Sequence, residues 1–79
     1  MVPLTAIVVH VTRPGPRADE LLAAVASHLG QEVHAPDERG HVRLLLEERQ
    51  DAGWQHVHDA LEAAGDDWRE HLELNPLPS

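Results

Sequence analysis

The run Leu4-Thr5-Ala6-Ile7-Val8-Val9-His10-Val11-Thr12 constrains this chain more than any other segment. Its Val, Ile and Thr residues lose side-chain freedom in a helix and pack well on a pleated surface. Pro3 and Pro14 close it off at either end. It reads as a strand buried on both sides and central in its sheet. Arg13-Pro14-Gly15-Pro16 is a turn that cannot continue it. The rest of a 79-residue chain has to build a core around this strand. Such a chain buries only ~60% of the surface its unfolded form exposes, so the core is thin. There is no Cys, Phe or Tyr. Disulfides and thiolate metal sites are therefore excluded, and the core rests on Leu, Val, Ile and Ala with Trp54 and Trp68.

Downstream, residues 17–29 predict a helix. Pro16 suits a first turn, and Asp19 and Glu20 favour the positive end of the helix dipole. Ala18, Leu21, Leu22, Val25 and Leu29 form its apolar stripe, and Gly30 is the expected residue just past its end. Residues 31–36 predict a weaker strand in which Val33 and Ala35 alternate with Glu32 and His34. Pro36 makes it an edge strand. Asp37-Glu38-Arg39-Gly40 reads as a hairpin connection, followed by a strand over residues 41–47 with Val42, Leu44 and Leu46 on one face. Residues 51–64 predict a second helix, with Asp51 as N-cap, Gly65 as terminator and Trp54, Val57, Leu61 and Ala64 on its inner stripe. Residues 68–74 read as a last strand, with Leu72 and Leu74 inward and Arg69, His71 and Glu73 outward.

This order is β-α-β-β-α-β, the ferredoxin-like pattern. It predicts an α+β fold: a four-stranded antiparallel sheet in spatial order 4-1-3-2, with both helices on one face. Residues 1–79 make one domain, with residues 75–79 as a tail.

Few kinds of chemistry fit these residues. There is no Cys, Lys or Tyr nucleophile, and Ser27 beside His28 on a helix does not face it. No glycine-rich phosphate loop follows a strand. The expectation is a non-catalytic protein without a cofactor. The N-terminus lacks the basic and apolar regions of a signal peptide, and no stretch is long and apolar enough to span a membrane. With no cysteine, a reducing cytoplasm is the expected setting.

Seven histidines stand out: His10, His28, His34, His41, His56, His58 and His71. Strand parity puts Val8, His10, His34, Arg43, Leu45, His71 and Glu73 on the sheet face away from the helices. His10, His71 and Glu73 suggest a Zn2+ or Ni2+ site, but polar residues on a solvated antiparallel sheet account for them more simply, and no metal is expected. The same face offers an alternative function: a ferredoxin-like regulatory or ligand-binding module that forms a homodimer through its open sheet. A third reading makes His10 or His71 a general base.

The formal charge is −8, which disfavours direct binding to nucleic acid or anionic membranes. It is also unevenly placed. Residues 1–46 hold five acids and four arginines, a net −1; residues 47–79 hold nine acids and two arginines, a net −7. On the second helix, Asp51, Gln55, Asp59, Glu62 and Asp66 fall on one stripe spanning roughly 22 Å. A merely soluble helix would interleave basic residues. Glu48, Asp51, Asp59, Glu62, Asp66, Asp67 and Glu70 are therefore the predicted partner-binding residues. In size, acidity and this stripe, the chain resembles the small acidic inhibitors of phages and mobile elements: DNA-mimic, anti-restriction and anti-CRISPR proteins. Those proteins share no fold, so the resemblance transfers no residue roles. It implies an inhibitor that occupies the basic, nucleic-acid-binding surface of another protein.

Overall fold

The computed structural model describes residues 3–33 and 35–75. Its elements are β1 (Thr5–Val11), α1 (Pro16–Leu29), β2 (His41–Leu46), α2 (Gln50–Ala64), α3 (Trp68–His71) and β3 (Leu72–Leu74). Both strand pairings are antiparallel, and the sheet order is β2-β1-β3. β1 is central, but Ile7, Val9 and Val11 are buried while Ala6 is exposed and Val8 and His10 are only half-buried. Burial on both sides, expected from the unbroken apolar run, is not observed. Among the described residues the sheet has one layer of helices, and nothing packs over the other face of β1.

A four-stranded ferredoxin-like sheet is not formed. Residues 31–36 make no strand among the described residues. Gln31 Nε2 ties this stretch to β2 by donating to the Leu45 carbonyl at 3.1 Å, and just beyond it the Asp37 amide donates to the His41 carbonyl at 3.1 Å. Pro36 has no amide to add, and of the two alternating apolar residues only Val33 packs against the core. His34 lies outside the described residues. Residues 68–71 are also misread as strand. Trp68–His71 is a helical turn, and only Leu72–Leu74 pairs with β1, with Val9 opposite Leu74 and Val11 opposite Leu72.

The core joins one face of the sheet (Ile7, Val9, Val11, Val42, Leu44, Leu46, Leu72) to Ala18, Leu21, Leu22 and Val25 of α1, Val57, Ala60 and Leu61 of α2, and Trp68. Both helices therefore lie on that face. α1 ends where Gly30 takes a left-handed conformation, and its amide bonds back to the Ala26 and Ser27 carbonyls. α2 begins one residue before Asp51, with Arg49 rather than Asp51 at the cap position. Gly53, in mid-helix, lets α2 cross β1 closely: a Cβ there would stand 2.7 Å from Thr5 Cγ2.

A compact turn launches β2. Asp37 Oδ1 accepts the amides of Arg39 at 2.8 Å and His41 at 2.9 Å, and these donors hold the Asp37 carboxyl below its ordinary pKa. Gly40 closes the turn at φ 77°, where a Cβ would lie 3.0 Å from the Val11 carbonyl oxygen. Gly40→Ala is expected to cost about 1–2 kcal/mol, seen as a lower urea midpoint with an unchanged slope.

Candidate functional site

Each predicted acidic residue can now be placed. Asp51, Asp59 and Glu62 lie along the solvent side of α2, opposite buried Val57 and Leu61. Asp66 does not extend this helical stripe, because α2 stops at Ala64 and Asp66 sits in the turn beyond Gly65. On the helix itself the row from Asp51 to Glu62 covers about 17 Å rather than 22 Å.

Three of the seven predicted partner-binding acids are held by a basic side chain at 3.1 Å or less. Glu48 Oε2 lies 3.1 Å from His56 Nδ1. Glu62 Oε1 lies 2.8 Å from Arg69 Nη2. Asp67 is held through both oxygens by Arg17, at 2.9 Å from Nε and 2.7 Å from Nη2. The other four are more available. Asp66 and Glu70 make no ion pair among the described residues. Asp59 accepts a bond from Gln55 and lies 3.8 Å from His58 Nδ1. Asp51 has only Arg49 nearby, at 3.9 Å with both side chains largely exposed. An exposed pair at that distance is worth little. The acidic surface is thus four carboxylates with no arginine nearer than 3.9 Å, spread over α2, the following turn and α3.

An aromatic cluster braces this surface from below. His58 stacks on Trp54 with ring centroids 5.3 Å apart and meets Trp68 edge-on at 6.0 Å. The Arg69 guanidinium lies 4.5 Å from the Trp68 ring centre while reaching Glu62, a cation–π contact that fixes its direction. Trp54 Nε1 donates to the Asn75 carbonyl at 2.6 Å, tying α2 to the end of β3. Trp68 is 3% exposed, and its indole N–H has no partner among the described residues.

The Arg17–Asp67 pair links α1 to the turn before α3. Gly65 leaves it room, since a Cβ there would run into Arg17 Nη2 and Asp67 Oδ1. Hydrogen bonds from Arg17 lower the Asp67 carboxyl to about 2. The folded chain therefore holds this proton less readily than the unfolded chain. The pair's contribution is present above about pH 4 and is lost as pH falls through about 2. Asp67→Asn should accordingly lower the urea midpoint near pH 6, and the difference from the unaltered chain should shrink towards pH 2. Asp67, Glu70 and His71 also bring ligand-type atoms within 4.8 Å of one another. Arg17 already occupies both Asp67 oxygens and opposes a cation there.

On the open sheet face, Val8 stands opposite Arg43, Ala6 opposite Leu45, and His10 opposite both His41 and Glu73. His71 is not on this face. It belongs to α3, half-buried, with Nε2 3.8 Å from Asp67 Oδ2. A site built from His10, His71 and Glu73 is therefore not assembled. His10 instead meets His41, with ring centroids 5.0 Å apart. Sequence reasoning missed that neighbour, although His41 opens the strand that follows the turn.

Two clefts stand out among the described residues. The larger, about 830 Å³, lies between α1 and residues 30–33 and 35–36 and includes Leu22, Ala26 and Val33; the smaller, about 330 Å³, includes Thr12, Trp68 and Leu74. Neither is lined by His10 or His71. No helix among the described residues is long and apolar enough to cross a membrane. Comparison with protein families, with curated proteins and with solved structures finds no match.

Proposed function

We propose that this chain is a non-catalytic binding protein that docks its acidic surface on a basic, nucleic-acid-binding surface of another protein. The observation that carries the reading is the charge imbalance of the C-terminal part, where nine acids meet two arginines. Arg69 is engaged with Glu62, and Arg49 stands 3.9 Å from Asp51. Asp51, Asp59, Asp66 and Glu70 are left facing solvent without a strong basic neighbour. Carboxylates on a helix and an adjoining turn present negative charge at fixed positions, as phosphates do along a strand. A groove lined with Lys and Arg to hold phosphates is their complement. This supports the likeness to small acidic inhibitors of phages and mobile elements, with the cytoplasm as setting.

The immobilised protein should retain nucleic-acid-binding proteins of its own cell at low salt and release them when duplex DNA is added. Retention that duplex DNA does not disturb would contradict the proposal, as would retention of no basic protein.

A further inference from the structure

We propose that two copies of this chain pair through the open face of the sheet, packed face to face about a two-fold axis parallel to β1. Leu4 and Leu45, 65% and 52% exposed, are the large exposed apolar residues among those described. Leu45 stands opposite Ala6, and Leu4 leads into β1 with the same parity as Ala6 and Val8. The two large exposed apolar residues thus share one face with Ala6 and half-buried Val8.

The charges on that face identify the occupant. Arg43 lies on β2 beside Val8, and Glu73 on β3 beside His10, so opposite charges sit on opposite edges of the sheet. A two-fold axis along β1 sets β2 of each copy over β3 of the other. Arg43 then comes within two residues of the second copy's Glu73, ~7 Å along the strand and within an arginine's reach. The contact occurs twice, as in any isologous interface. A basic partner would meet Arg43 and an acidic one Glu73; a second copy satisfies both. The face is close to neutral, whereas two chains of −8 would repel at their α2 surfaces. In the pair, both acidic surfaces point outward.

With only Leu4 and Leu45 as large exposed apolar residues, the apolar contact is small, and the dimer is weak and concentration-dependent. Sedimentation equilibrium from about 10 μM to about 1 mM should show a monomer–dimer equilibrium. Leu45→Glu should abolish it. Arg43→Glu should weaken it at least tenfold, and adding Glu73→Arg should restore it. All three side chains are exposed, so circular dichroism should be unchanged. The proposal is overturned by a monomer throughout the range, by dimers that survive Leu45→Glu, or by a charge swap that fails to restore pairing. None of the three residues lies on α2 or α3, so these outcomes leave the acidic-surface reading untouched.

Discussion

Trp68→Ala is expected to leave the chain largely unfolded near physiological temperature. The side chain is 3% exposed and belongs to the single core that joins sheet and helices. Deleting a buried tryptophan costs about 3–5 kcal/mol. A domain of this size is stable by about 4–12 kcal/mol in all, with no disulfide in reserve. At 4–8 °C per kcal/mol, the thermal midpoint should fall by more than about 12 °C. The substitution also frees Arg69 from the ring that guides it towards Glu62. Trp68→Phe should be much milder. It keeps most of the apolar volume and removes an indole N–H that lacks a partner, a burial costing about 1–3 kcal/mol. Equal midpoints for the alanine variant and the unaltered chain, by circular dichroism, would mean that α3 does not pack as described.

The second large effect concerns binding alone. Replacing Asp51, Asp59 and Asp66 with Asn and Glu70 with Gln removes four negative charges, taking the formal charge from −8 to −4. At ~0.7 kcal/mol per charge, the variant should bind its basic partner about a hundredfold more weakly. None of the four is buried or holds a close arginine, so stability should change by no more than about 1 kcal/mol. The distinction from Glu48, Glu62 and Asp67 matters here. Neutralising those three would also release His56, Arg69 and Arg17, and lost binding could then reflect an altered fold.

Much of the inner face could be read from the sequence. Alternation at Val42, Leu44 and Leu46 and the helical spacing of Leu21, Leu22 and Val25 mark residues that the structure buries. The strand readings failed where that signal was thin. Residues 31–36 hold two alternating apolar residues and a proline, too little to fix a strand by pattern, and a side-chain bond from Gln31 ties the stretch to β2 instead. In residues 68–74, strict alternation would have turned Glu70 inward with Trp68 and Leu72. A helical turn over residues 68–71 buries Trp68 and leaves Glu70 outside, and Leu72 then enters β3 facing the core, as observed. That conflict was present in the sequence. It also moved His71 from the sheet to α3, and so undid the histidine grouping on the open face.

The charge imbalance was legible because it needs only a count. Which carboxylates stay free was not, because pairing depends on contacts across the fold. Arg17 reaches Asp67 fifty residues away, and Arg69 reaches back from α3 to Glu62 on α2. Gly65 as a terminator fixed where α2 stops, and so took Asp66 off the stripe.

The most direct measurement is the salt dependence of affinity for the captured basic partner, for the unaltered chain and for the four-residue variant. If the acidic surface docks in a phosphate-binding groove, the logarithm of the association constant falls steeply with the logarithm of salt concentration, and the variant shows a shallower slope as well as weaker binding. An affinity indifferent to salt, or the same slope for both proteins, would contradict the account.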